Sequence, residues 1–195
     1  MQRDVILICG QTGSGKSYYA KKIVKNIPRC LVIDAGFREF ENTIFFDNVD
    51  DLIEALQKRN AETDKDVCFN FGITPFPDEY EAIFDIAIAC GNLTLVLEES
   101  DRFDEKIFSY QDIITRGRHY GVSILAIAPH PYNFPKDLRR QLTEVISFRQ
   151  TEESDLDYLS DVIGPEIYQV RDFQRDSFKY LRWTPENGIS IHVNS

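Results

Sequence analysis

Eight consecutive residues constrain this chain more than any others: Gly10-Gln11-Thr12-Gly13-Ser14-Gly15-Lys16-Ser17. They match the pattern G-x-x-x-x-G-K-[ST] and sit between an apolar run, Val5-Ile6-Leu7-Ile8-Cys9, and a helical pattern from Tyr18 to Ile27. That strand–loop–helix setting is the one a phosphate-binding loop requires. Glycines let the backbone turn tightly and aim successive N–H groups inward, where a helix N-terminus adds a favourable dipole for phosphate oxygens. In such a loop Lys16 reaches the β- and γ-phosphates and the Ser17 hydroxyl holds Mg²⁺. The expected ligand is therefore a nucleotide with Mg²⁺.

The remaining chain narrows what surrounds the loop. With 195 residues, 43% of them hydrophobic and 28% charged, it reads as one globular domain able to bury a core. A net charge of −10 excludes a protein that coats nucleic acid with its whole surface, while leaving room for local basic patches. Cys9, Cys30, Cys68 and Cys90 are too widely spaced for a zinc site and, with Cys9 and Cys68 in strand-like apolar runs, read as buried free thiols in a reducing, cytoplasmic compartment. The apolar run after Arg3 is too short for a signal peptide, and none is long enough to span a bilayer.

Apolar runs alternate with helical patterns along the chain. Cys30 to Asp34 reads as a second buried strand and Thr43 to Phe46 as a possible short one. Asp47 or Asn48 can cap a helix to about Arg59, and Asn60 to Asp66 is a loop. A strand at Val67 to Phe71 follows, then a helix capped by Asp78 and running to Cys90. Leu93 to Leu97 is an uninterrupted strand. Phe103, Ile107, Tyr110 and Ile114 share a helical stripe that finishes near Arg116 to Arg118. Val122 to Ala128 and Val145 to Phe148 are further strands, the second preceded by a short basic helix, Lys136 to Leu142. A helix from about Glu153 to Ile163 stops at Gly164-Pro165, and Phe178 to Trp183 with Ile189 to Val193 reads as a β-hairpin. This alternation predicts an α/β fold with a mostly parallel sheet covered on both faces. Ligand sites in such folds lie at the C-terminal strand ends, where Gly10 and Glu98 fall.

Glu98-Glu99, at the end of the Leu93 strand, are the second informative feature. The first carboxylate can orient Mg²⁺ and the second can take a proton from an attacking water, so Glu98 is assigned to the metal and Glu99 to the water. A kinase has no need of the second acid there. Thr115-Arg116-Gly117-Arg118-His119-Tyr120-Gly121 is the third feature. Arg116, with Arg118 as the alternative, can reach the γ-phosphate of a neighbouring subunit or simply complement a helix C-terminus. Arg139, Arg140 and Arg149 are outside candidates. The first two, with Lys136, form either a nucleic-acid contact or a solvated face. His130, between Pro129 and Pro131, is either a γ-phosphate sensor or a loop residue.

The succession Gly10 to Ser17, Cys30 to Asp34 with Arg38-Glu39-Phe40, Leu93 to Glu99, Thr115 to Gly121, Ile124 to Pro131 and Val145 to Arg149 resembles the HerA–FtsK group of P-loop ATPases. Among them it is most similar to the genome-packaging ATPases of tailless icosahedral viruses with internal membranes. The resemblance spans roughly residues 4–163, as the core of a single domain 1–195 whose helix and hairpin extension begins near residue 164. It implies a three-layer fold with core strand order 5-1-4-3-2, counting the strands at 145, 4, 122, 93 and 30, with the strand at 67 added. It also implies an ATP-hydrolysing translocase of double-stranded DNA that packages a genome as a homo-oligomeric ring. The chain departs from the group in having Glu98 where Asp is usual, and Ala128-Pro129-His130 where a glutamine is usual. A phosphotransferase and a non-catalytic nucleotide switch in assembly remain the alternatives. For the hairpin, docking on a capsid or virion membrane protein stands beside a plain sheet-edge extension.

Overall fold

The computed structural model describes residues 3–36, 38–61, 68–104 and 106–193. Nine strands form one sheet in the order β3-β4-β2-β5-β6-β1-β7-β8-β9. They are β1 Val5–Cys9, β2 Arg29–Ile33, β3 Ile44–Phe46, β4 Phe69–Ile73, β5 Leu93–Glu98, β6 Val122–Ala128, β7 Glu144–Ser147, β8 Lys179–Thr184 and β9 Gly188–Val193. The expected core order survives intact as β7-β1-β6-β5-β2. The helices are α1 Lys16–Val24, α2 Val49–Ala61, α3 Tyr80–Cys90, α4 Phe108–Tyr120, α5 Lys136–Arg139 and α6 Glu153–Ile163.

Two compact units make up the chain. The first comprises Met1–Arg3, Lys21–Glu98 and Asp104–Ile124. Here β2 pairs in parallel with both β4 and β5, and β3 in parallel with β4, so the strands end along one edge at Ile33, Phe46, Ile73 and Glu98. Leu31, Val32, Leu95 and Val96 are fully or almost fully buried, as continuous apolar strands covered on both faces must be. Tyr110 stacks on Phe84 with ring centroids 4.8 Å apart, joining α3 to α4. The second unit comprises Asp4–Ala20, Glu99–Phe103 and Leu125–Ser195. In it β1 runs parallel to β7, and the hairpin β8–β9 extends β7 antiparallel. Tyr19, Phe148 and Tyr180 form an aromatic cluster, with the Tyr19 and Tyr180 centroids 4.8 Å apart, that seats the start of α1 on the hairpin.

Several local expectations are corrected. Asp78 does not cap α3: the position before the helix is Glu79, whose carboxylate accepts the Phe76 N–H at 2.8 Å and shapes the preceding turn instead. The helix expected from Phe103 begins only at Phe108, where the Glu81 carboxylate accepts the Phe108 and Ser109 N–H groups at 3.1 and 3.0 Å, and it carries Arg116 and Arg118 inside its last turns. Asn48 does cap α2, accepting the Asp51 N–H at 2.8 Å. The expected strand from Val67 occupies Phe69–Ile73. Cys68 lies just outside it and is exposed, while Cys9 and Cys30 are buried. Of the expected loop, residues 62–66 lie outside the described residues.

Candidate nucleotide site

In the second unit, β1 delivers the chain to Gly10, whose φ is +150°. A Cβ there would lie 2.7 Å from the Phe148 Cβ and 2.7 Å from the Ser14 Oγ, so only glycine lets the loop lie against the end of β7. That closeness is held by backbone bonds: Phe148 N–H donates to the Cys9 carbonyl at 2.9 Å and Gln11 N–H to the Arg149 carbonyl at 2.9 Å. The Gln11 amide also bonds the Thr151 hydroxyl. Ser14 N–H closes the loop on the Gln11 carbonyl at 3.1 Å. Gly13 and Gly15 follow with φ of +80° and +102° before α1 starts at Lys16. Alternating handedness of this kind turns successive N–H groups to one side and forms an anion nest, continued by the first amides of α1, which have no carbonyl a turn earlier to bond. The Ser14 Oγ is buried with no hydrogen-bond partner among the described residues. An orphaned hydroxyl inside a nest fits a phosphate group. Burial pushes the Cys9 thiol up to about 12, so it stays protonated and takes no part as a nucleophile.

Glu99 is in the left-handed region, φ 52° and ψ 45°, at the head of the 3₁₀ turn. For a glutamate this conformation is strained and needs fixing by its surroundings. The adjacent Ser100, almost wholly buried, donates its hydroxyl to the Ile127 carbonyl of β6 at 3.3 Å. His130 places Nδ1 3.2 Å from the carboxylate of Asp155, whose other oxygen accepts the Tyr132 N–H at 3.1 Å. Gln150, buried, donates to the Pro129 carbonyl at 3.0 Å. The chain beyond β7 thus holds the segment that follows β6.

The first unit holds Glu98 beside a partner that motif reading passed over, Asp34. Asp34 follows β2, and its Oδ2 accepts the N–H groups of Gly36 at 2.7 Å and Arg38 at 3.0 Å and the Thr74 hydroxyl at 3.2 Å. Its Oδ1 is buried and has no hydrogen-bond partner among the described residues. Glu98 Oε2 accepts the Ala35 N–H at 3.1 Å. Burial first, then the contact with Asp34, push the Glu98 carboxyl up to about 7. Two adjacent carboxyl groups, one with a buried oxygen that has no hydrogen-bond partner among the described residues, are of the chemistry that suits a divalent ion.

The Glu98 shift makes a stability prediction. Its folded value, about 7, lies above the ordinary 4.5, so the folded chain holds an extra proton between those pH values. Stability contributed by this group is complete below about 4.5 and is lost as pH rises through 7. Glu98→Gln, whose amide can donate to Asp34 at any pH, should unfold at a higher temperature than the parent at pH 8 and at nearly the same temperature at pH 4.5. Nucleotide-free, Mg²⁺-free thermal melts check this; an equal difference at both pH values refutes it.

Arg116, itself exposed, is held in an i,i+4 ion pair by the largely covered Asp112, which also accepts the Tyr120 hydroxyl at 2.6 Å. Arg118 lines, with Arg3, Arg29, Asn92 and Ser123, a cavity of about 180 Å³ at the N-terminal ends of the first unit's strands. Both arginines thus follow the last turns of α4 away from the strand edge that carries Asp34 and Glu98. Arg139 pairs with Asp161 at 3.0 Å and lies over the Tyr158 ring, and Arg140 pairs with Asp137 at 3.6 Å. The C-terminal extension supplies two more residues without a motif: Arg175 donates Nη2 to the Thr12 carbonyl at 2.9 Å, and the Phe178 ring lies on Gly15.

A glycine nest between a buried parallel strand and a helix, in a sheet of order β2-β5-β6-β1-β7, decides the architecture. The fold is that of the P-loop NTPases. Solved structures with this P-loop NTPase fold match along the whole chain. The genome packaging NTPase B204 from Sulfolobus turreted icosahedral virus 2, in complex with AMPPCP, superposes with a TM-score of 0.78 at 16% identity, covering 100% of this chain and 99% of that one. B204, the DNA-packaging ATPase from Sulfolobus turreted icosahedral virus, gives 0.68 at 19% identity over 100% of both chains. The pCW3 conjugation coupling protein TcpA with ATPγS gives 0.63 at 12% identity, covering 98% of this chain and 60% of that one. No family model matches the sequence, and neither does any curated protein.

Proposed function

We propose that this chain is an ATP-hydrolysing DNA translocase that packages a viral genome into a preformed capsid, acting as a single ATPase domain in a homo-oligomeric ring. The observation that carries the reading is the glycine nest of Gly10 to Ser17, set in a chain whose full length superposes on a packaging NTPase solved with an ATP analogue. Gly10, Gln11, Thr12, Gly13, Ser14, Gly15, Lys16 and Ser17 wrap the triphosphate of ATP, and Lys16 offsets charge on its outer phosphates. Ser17 and Glu98, a hydroxyl and a carboxylate, suit Mg²⁺, which supplies charge stabilisation at the phosphates when bound. Glu99 accepts a proton from the attacking water.

Arg116, with Arg118 as the alternative, acts on the nucleotide of the next subunit. Their place on the last turns of α4, away from the strand edge bearing Glu98, supports action on a neighbour. The Arg116 side chain is exposed, so its guanidinium is within reach of a partner outside the chain even while it pairs with Asp112. His130, oriented by Asp155, senses the γ-phosphate. The ring works in the host cytoplasm and associates with the virion; its hairpin extends the sheet edge beside β7, with docking on a capsid or virion membrane protein as the alternative role. Among the described residues no helix is long and apolar enough to cross a membrane.

The test is ATP hydrolysis by the full chain with and without double-stranded DNA, with mass in solution measured in nucleotide. The expected result is DNA-stimulated turnover by a ring. Turnover that requires a small acceptor and ignores DNA would make the protein a phosphotransferase. Tight binding with negligible turnover would make it a switch.

A further inference from the structure

We infer that Arg175, in the C-terminal extension, is a phosphate ligand acting in cis: its guanidinium contacts the phosphate chain of the nucleotide held by its own loop. The inference rests on the proposed binding of ATP at Gly10 to Ser17.

Its position is set by contacts on both sides. Nη2 donates to the Thr12 carbonyl at 2.9 Å. A Cβ built on Gly13 would lie 3.2 Å from Nη2, 3.4 Å from Nε and 3.7 Å from Cζ, so the flat guanidinium lies against Gly13 itself, on the rim of the anion nest. The turn that carries it is pinned. Ser177 N–H and its hydroxyl both donate to the Gln174 carbonyl, at 3.2 and 2.7 Å, and Phe173 is buried. Phe178, with φ of +49°, lays its ring on Gly15: a Cβ there would meet Cδ1 at 2.7 Å. Two glycines of the loop thus receive two side chains of one turn. A left-handed phenylalanine is a costly way to end a turn, and it is the kind of strain that marks a functional contact.

Charge completes the argument. The chain carries ten more acidic than basic side chains, yet among the described residues Arg175 makes no ion pair. A guanidinium has five donors in a planar fork suited to phosphate oxygens, and the Thr12 carbonyl uses one of its nitrogens. A nucleotide held in the nest would bring phosphate oxygens, the acceptors for which the remaining donors are suited. A charged hydrogen bond of this kind is worth roughly 10- to 100-fold in affinity.

A fluorescent ATP analogue titrated into the full chain tests this with four variants whose fold is verified by circular dichroism. Arg175→Gln keeps a donor for the Thr12 carbonyl but no charge. It should weaken binding about 10- to 100-fold, as much as Arg175→Ala, and make the dependence on salt shallower. Arg175→Lys should recover part of the loss. If Arg175→Gln binds like the parent, with Arg175→Ala alone weakened, the residue only holds the Thr12 carbonyl and the inference fails. Lys16→Ala separates the two readings. Should it bind like the parent, the phosphate-loop assignment falls first; should it lose binding while Arg175→Gln does not, only the role of Arg175 falls.

Discussion

Glu99→Gln is expected to lower ATP turnover by about 10²- to 10⁴-fold while leaving nucleotide affinity within a few-fold of the parent. The amide has the shape of the carboxylate but cannot take a proton from water. Glutamine meets the same left-handed backbone cost as glutamate at φ 52°, so the geometry set by the Ser100–Ile127 hydrogen bond should persist. Steady-state turnover with binding of a fluorescent ATP analogue measures both quantities. Parent-like turnover would remove Glu99 from the chemistry. A parallel loss of affinity would mean that the side chain holds nucleotide rather than activating water.

Gly10→Ala is expected to destabilise the fold by about 2–4 kcal/mol and to abolish nucleotide binding. The added methyl would sit 2.7 Å from both the Phe148 Cβ and the Ser14 Oγ. Phe148 is wholly buried, and its N–H is bonded to the Cys9 carbonyl, so β7 cannot yield without breaking its pairing with β1. The loop must move instead, and the nest opens. Thermal unfolding reads the first effect and analogue titration the second. A melting temperature lowered by less than about 2 °C, with binding retained, would show that the contact gives way cheaply.

Much of this was legible in the sequence because it is local. The nest needs only glycines at fixed spacing, and Leu93 to Glu98 needs only an apolar run ending in acids. The order of the five core strands followed from the resemblance of the motif succession to a known group. Helix ends were less legible. Asp78 and Glu79 are both plausible caps by composition, and a hydrogen bond to the Phe76 N–H decided between their roles. The later start of α4 goes with a carboxylate 27 residues away, Glu81, which accepts the Phe108 N–H.

By itself the sequence determined that this chain carries a phosphate loop on a buried parallel strand, with acids at the end of a second strand. Those features are written in contiguous residues and in the periodicity of apolar side chains. Only the tertiary structure decided which groups stand beside them. Asp34 meets Glu98 because β2 and β5 pair in register, with Ile33 opposite Leu97. Gln150 reaches Pro129 from beyond β7. Arg175 comes to Thr12 across 163 residues of chain. Contacts of that separation leave no periodicity and no spacing to read, since they arise from which strand ends the sheet order places side by side.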